Sequence, residues 1–485
     1  MARYDQTNLG GATMASIQTH IPALAFTIDR HSKVPVFEQI CTVIRTRAVS
    51  GSLTQGTRLP ATRAMATELG VSRSTIVTAY DQLVAEGYLT SVQGSGYTVC
   101  AIGEVELAQK TPLPTPSKTQ GDTPPTPHPF QAGRPDMRLF PHAQWAKTTA
   151  RICRTDPRSM LEGASPFGHF KLRQAIAAHV ADWRGITASP HQIIITAGST
   201  DALEICTRSL AQEGDRIGLE NPGYLPLRHF AEVQGLDPMY LDATGAGADL
   251  PPPGTAPRLV VLTPSHQYPL GGAMSPNRRL EFIHWAQSHD AWIIEDDYDS
   301  EFRYAGRPIP AMAGFDHLDR TLYIGSFSKI FSSALRLGYV IVPDPLIDGF
   351  RDTMRRFGQK ASLMPQAPLA EFISSGEFYR HLRRVRRIYG ERRKFLLDSL
   401  AQGFAEFGHF EDHQAGMQVT FHLNEGLADH AVSARAADLG VTAHPLSEYA
   451  TKNSNFNGLV LGFCGFTPDE MAPALGVLRQ ALRAG

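Results

Sequence analysis

Apolar positions along this chain change their spacing twice. Between residues 30 and 100 they recur at three- and four-residue intervals. Phe37, Ile40, Val43 and Ile44 predict a helix over 37–49, stopped by Gly51 and Gly56. A second helix follows Pro60 and turns Ala64, Met65, Ala66 and Leu69 inward, with Gly70 placed as a left-handed C-cap. Ser72 is spaced as the N-cap of a third helix over 73–86. After Gly87 come Tyr88 to Val92, then Gly94-Ser95-Gly96, then Tyr97-Thr98-Val99, a short β-hairpin with a glycine tip. Residues 101–129 are rich in Pro and Thr and nearly free of large apolar side chains, so they read as a linker. From 130 to 485 short unbroken apolar runs recur: Ile193-Ile194-Ile195-Thr196, then 258–262, 292–294, 321–324 and 338–342, with helical segments between most of them. Such runs predict an α/β region built on a largely parallel sheet covered on both faces.

Composition narrows the function classes. The formal charge of the 485 residues is −1, which excludes a uniformly basic nucleic-acid coat. Residues 30–100 depart from that balance, with Arg30, Lys33, Arg45, Arg47, Arg58, Arg63 and Arg73 against Glu38, Glu68, Asp81 and Glu86. No run of about 20 apolar residues predicts a membrane span. The first residues lack a basic segment followed by an apolar core, so no secretory signal is read. Five cysteines are scattered without metal-ligand spacing, which fits free thiols in a reducing cytoplasm and no metal site.

Helix, short turn, helix and glycine-tipped hairpin is the order of a winged helix-turn-helix. Ser72-Arg73-Ser74-Thr75 opens the third helix with short hydroxyls and an arginine, suited to phosphate and base-edge contacts in a major groove. Arg58 and Arg63 flank the second helix as phosphate clamps. Three segments, 56–63, 69–73 and 83–88, resemble in order the GntR-family DNA-binding domain. The resemblance implies double-stranded operator DNA as partner, contacted by Arg63, Ser72, Arg73, Ser74 and Thr75, with wing residues from Gln93 to Gly96, including Gly94, in the minor groove. Val77 stands where members carry a further arginine.

One of the nine lysines stands out: Lys329, in Ile324-Gly325-Ser326-Phe327-Ser328-Lys329-Ile330-Phe331 directly after a strand. Alone it reads as a surface lysine. In an apolar setting it is desolvated, which lowers its pKa and frees the amine for Schiff-base chemistry. Its companions favour that reading. Ser326 and Arg336 bracket it as phosphate ligands, and Gly198-Ser199-Thr200-Asp201 opens a helix after the 193–196 strand as an anion site. Glu295-Asp296-Asp297-Tyr298 ends another strand with a carboxylate able to pair with a pyridinium nitrogen, and Tyr224 in Asn221-Pro222-Gly223-Tyr224 is fit to stack on a ring. Together, at strand C-termini, they predict a pyridoxal phosphate pocket.

This region resembles the fold-type I aminotransferases over nearly its whole length. The segments 263–267 and 295–302 are similar to those of the MocR/GabR type of GntR regulators, which fuse a winged helix to an aminotransferase-like domain. The resemblance implies that Lys329 forms the internal aldimine, Asp296 pairs with the pyridine nitrogen and Tyr298 bonds the ring hydroxyl. It further implies that Tyr224 stacks and that Ser199, Thr200, Ser326 and Arg336 hold phosphate. His266 or Gln267 takes the place of an asparagine near the ring hydroxyl. The resemblance also implies a homodimer. Val460 aligns with the arginine that grips a substrate carboxylate, leaving Arg228 or Arg134 to replace it in space. That departure turns the expected effector toward the cofactor itself or another kind of amine. A regulator that senses an amine, amino acid or pyridoxal phosphate is the leading reading, and a working aminotransferase carrying a DNA-binding module is the alternative. The basic stretch 379–394 reads either as the outer face of a helix or as a second DNA-touching surface.

Overall fold

The computed structural model describes residues 27–92, 96–101, 128–162, 165–306, 308–358, 360–451 and 454–484. Gln93, Gly94, Ser95 and all but the ends of the 101–129 segment lie outside the described residues. The chain divides into two compact units, 1–124 and 125–485.

The small unit holds α1 (Val36–Val49), α2 (Thr62–Leu69), α3 (Arg73–Ala85), β1 (Leu89–Val92) and β2 (Gly96–Val99). Gly70 ends α2 at φ 62°, and Ser72 caps α3 by accepting from the Thr75 amide at 3.2 Å. Ile40, Ile44, Met65, Ile76, Tyr80, Leu83, Leu89 and Val99 form the core. The inner face of α2 is narrower than its apolar residues suggest. Met65 and Ala66 are buried, Leu69 is half-buried and Ala64 is exposed, because an eight-residue helix turns only one stripe toward α3. β1 and β2 pair antiparallel from Leu89–Val99 to Val92–Gly96.

The large unit is built on eight strands: β3 (Ile193–Thr196), β4 (Arg216–Asn221), β5 (Asp237–Thr244), β6 (Gly247–Ala248), β7 (Leu259–Leu262), β8 (Trp292–Asp297), β9 (Thr321–Ser326) and β10 (Gly338–Ile341). Their order is β3-β10-β9-β8-β7-β4-β5-β6. Ile193 and Ile195 enter one core while Ile194 enters another on the opposite face, which is why the run is apolar throughout. β5, β4, β7, β8 and β9 pair in parallel, whereas β6 is antiparallel to β5 and β10 is antiparallel to both β3 and β9. The β9–β10 link is too short for the crossover a parallel return needs. That link carries Lys329. A second sheet, in the order β11-β12-β14-β13, comprises β11 (Gly408–Phe410), β12 (Gln418–Leu423), β13 (His444–Pro445) and β14 (Gly458–Gly462).

The basic stretch lies in the 27-residue helix Glu377–Gly403, and most of its charges find partners within the large unit. Arg392 pairs with Asp136 at 2.8 Å, Arg387 with Glu391 at 2.8 Å and Lys394 with Asp398 at 2.6 Å. Arg393 pairs with Asp412, and Arg384 and Arg386 bond the carbonyls of Leu139 and Arg303. Arg392 and Arg393 are buried and serve the large unit's structure, while Arg380, Arg383, Arg384, Arg387 and Lys394 form the exposed, charged outer face of the helix. No described helix is long and apolar enough to cross a membrane, and no metal-holding cluster occurs among the described residues.

Candidate functional site

In the small unit, Arg58, Arg63, Ser72, Arg73 and Ser74 are exposed and Thr75 is half-buried. The Ser72 hydroxyl bonds those of Ser74 and Thr75 at 2.7 and 2.8 Å, which fixes the first turn of α3. Arg73 Nε reaches Thr62 Oγ1 at 3.4 Å, linking the starts of α2 and α3. Exposed Gly96 opens β2 beside the Arg58 guanidinium. Gly94 lies outside the described residues.

In the large unit, the carboxyl ends of the parallel strands deliver side chains to one cavity of about 130 Å³. Ser199, Tyr224, Asp296, Tyr298 and Lys329 line it, with Gly133, Thr263, Tyr268, Asp299 and Gln418 among their neighbours. Three consecutive acids on β8 are sorted by strand alternation. Glu295 accepts from the amides of Met312 and Ala313 at 3.1 and 2.9 Å. Asp297 pairs with Arg184 at 2.8 Å and accepts from Tyr323 at 2.6 Å. Asp296 points the other way, and its buried Oδ1 has no hydrogen-bond partner among the described residues. Burial, reinforced by Asp297 and Asp299, pushes the Asp296 carboxyl up to about 7.

Phe327, Ile330 and Phe331 are buried and anchor the β9–β10 link. Lys329 Nζ donates to the Gly133 carbonyl at 2.7 Å. Burial lowers the lysine pKa against the opposing pull of Asp299 and Asp296. Glycine suits position 133, whose φ is 64° and where a Cβ would come within 2.8 Å of the amine.

Tyr298 Oη lies 2.8 Å from His266 Nδ1, which lies 3.0 Å from Asp299 Oδ1. Gly416 admits this ring, because a Cβ there would come within 2.0 Å of it. The two residues left open at the ring-hydroxyl position are thus separated. His266 stands behind Tyr298, and Gln267 is turned to the carbonyls of Pro222 and Tyr268, each at 2.9 Å. Neither lines the cavity; the next residue, Tyr268, does.

Thr200 is the second residue of the helix Ser199–Leu210 and lies near Tyr224. Ser326 ends β9, and Arg336 is exposed two residues before β10; neither is in the cavity lining. Gly338 joins these groups at one sheet edge, with Thr196 and Ser326 as its two register partners and Gly198 within 3.0 Å of where its Cβ would stand.

Val460 is fully buried with Leu270, Leu446 and Tyr449. Arg134 bonds Gln131 at 3.2 Å, and Arg228 bonds the Tyr449 carbonyl. Neither arginine lines the cavity.

Sequence reasoning missed Tyr268, although it adjoins the quoted 263–267 segment. It also missed Gln418 and Gly133, which carry no local signal.

Residues 37–99 match the gntR family of bacterial regulatory proteins, and residues 131–475 match aminotransferase class I and II. The probable rhizopine catabolism regulatory protein MocR of Rhizobium meliloti is 36% identical over 94% of this chain and 96% of its own length. The pyridoxine biosynthesis regulator PdxR of Corynebacterium glutamicum is 32% identical over 95% and 99%. Among solved structures, an archaeal alanine:glyoxylate aminotransferase superposes with a TM-score of 0.69 at 25% identity, covering 74% of this chain and 91% of its own. The α-aminoadipate aminotransferase LysN of Thermus thermophilus superposes with a TM-score of 0.66 at 27% identity, covering 73% and 92%.

Proposed function

The chain belongs to the GntR transcription regulators of the MocR type, which join a helix-turn-helix region to an aminotransferase-like region, and from this premise we propose how its two units act. The small unit binds operator DNA as part of a homodimer. The large unit holds pyridoxal phosphate at Lys329 and senses there an amine, an amino acid or the cofactor itself.

One observation carries the reading: a buried carboxylate oxygen without a hydrogen-bond partner among the described residues, Asp296 Oδ1, shares a cavity with a desolvated lysine. A buried carboxylate so placed asks for a cationic donor, and a protonated pyridine nitrogen is one. When bound, the cofactor supplies an aldehyde that condenses with primary amines. Asp296 would hold the ring nitrogen, Tyr224 would stack on the ring and Tyr298 would bond its hydroxyl. Ser199, Thr200, Ser326 and Arg336 would hold the phosphate around the helix N-terminus. Burial and Asp299 keep the Tyr298 phenol protonated, so it acts as a donor.

The test is an absorbance spectrum of the purified protein with pyridoxal phosphate, before and after borohydride. A visible band that reduction fixes on the Lys329 peptide is expected, and Lys329→Ala abolishes it. Without a band the cofactor reading fails. Turnover of amino-acid and keto-acid pairs is expected to be negligible; rapid multiple turnover would restore the aminotransferase alternative.

A further inference from the structure

β12 sends one polar side chain to the cavity. Gln418 opens that strand, is 5% exposed and lines the cavity, and its Nε2 has no hydrogen-bond partner among the described residues. A buried amide left unpaired is destabilising, and a ligand that pairs it would offset that cost. Gly133 lies beside both the amide and the lysine. A Cβ there would stand 2.8 Å from Lys329 Nζ and 3.9 Å from Gln418 Oε1. The amide therefore flanks the amine with which an incoming ligand exchanges.

The surroundings select the chemistry of that ligand. Directly opposed residues of an antiparallel pair share a face, so Gln418 and Thr420 lie on the same face as their partners Gly462 and Val460. The Thr420 hydroxyl is already given to the Pro269 carbonyl at 2.7 Å. Val460 belongs to an apolar cluster that packs against Tyr268 and Ala132, both in the cavity wall. His444, opposite Val460 on β13, is pushed toward its neutral form by burial. Lys329 is the one cation lining the cavity among the described residues, and Asp296 and Asp299 line it too. With Asp296 taken up by the ring nitrogen, a carboxylate on the ligand would still meet Asp299 and no guanidinium from the described lining, and its desolvation would go uncompensated. A hydroxyl both donates and accepts, so it satisfies the Gln418 amide in either orientation.

We propose that this cavity selects a primary amine carrying a hydroxyl in place of a carboxylate, and that Gln418 reads the hydroxyl. The inference rests on the reading that pyridoxal phosphate is held at Lys329, and names the class of amine sensed there.

Full-length protein loaded with pyridoxal phosphate is titrated with matched sets: 3-aminopropan-1-ol, β-alanine and propylamine, then L-alaninol, L-alanine and isopropylamine. The readout is the concentration that half-shifts the visible band. Each amino alcohol is expected to act at least tenfold below its amino acid and also below its deoxy amine. In Gln418→Leu the ratio between alcohol and deoxy amine is expected to fall toward one. Gln418→Met, closer in size, is the second variant, and the wild-type comparison stands without either. An amino acid acting at or below the concentration of its alcohol overturns the inference and leaves the cofactor reading intact. A folded Gln418 variant that keeps the full preference for the alcohol overturns the role of that residue. Absence of any band with pyridoxal phosphate removes the cofactor reading, and the inference with it.

Discussion

Asp296 is the middle of three consecutive acids, and its environment differs from that of both neighbours. Glu295 and Asp297 are bonded into the sheet's surroundings, while Asp296 faces the cavity with a carboxyl raised to about 7. An acid whose folded pKa lies above the unfolded value near 3.9 makes the folded state hold its proton more tightly. That contribution is complete below about pH 4 and is lost as pH rises toward 7. In the cofactor-free protein, Asp296→Asn should therefore gain stability over wild type as pH rises. The gain should grow from small at pH 4 to on the order of 3 kcal/mol at pH 8, read by denaturant unfolding. A gain that does not change with pH would refute the raised carboxyl. The same substitution should weaken pyridoxal phosphate binding at least tenfold, since the ring nitrogen loses its charged partner.

At the scale of elements, α3 presents its N-terminal turn as one preformed surface. Ser72 caps the helix and ties Ser74 and Thr75 into place, with Arg73 projecting beside them. If Arg73 neutralises one phosphate, Arg73→Ala should lower operator affinity and reduce the slope of log affinity against log salt by about 1. An unchanged slope, measured by fluorescence anisotropy over a salt series, would remove Arg73 from the phosphate contacts. This element was legible because capping is local: Gly70 and Ser72 announce the turn without reference to distant residues. The apolar strand runs were legible for a similar reason, since burial on both faces leaves no polar position. The antiparallel sense of β10 was not legible from its apolar run, which any central strand would share. Lys329 and Asp296 could be found because each lies at or just beyond the carboxyl end of a strand within a marked segment. Tyr268 needed the exact turn geometry after β7. Gln418 comes from the second sheet, far along the chain, and no periodicity links it to Lys329.

At the scale of the whole molecule, the two units exchange information only if the ligand's binding energy differs between the DNA-bound and free forms. The chemistry at Lys329 and the surface at α3 are then thermodynamically linked, and the linkage is reciprocal. An effector that changes operator affinity fivefold corresponds to a coupling of about 1 kcal/mol, and operator DNA must change effector affinity by the same factor. Lys329→Ala separates the two functions. It leaves the small unit's core and α3 untouched, so operator binding in the absence of cofactor should remain within about twofold of wild type. The shift in operator affinity that wild-type protein shows with pyridoxal phosphate and an amine should vanish. Anisotropy titrations of both proteins, with and without these ligands, give all four affinities. A shift retained by Lys329→Ala would place the signal outside the lysine's chemistry. If the shift disappears while basal binding persists, the desolvated amine is the point through which the large unit governs the small one.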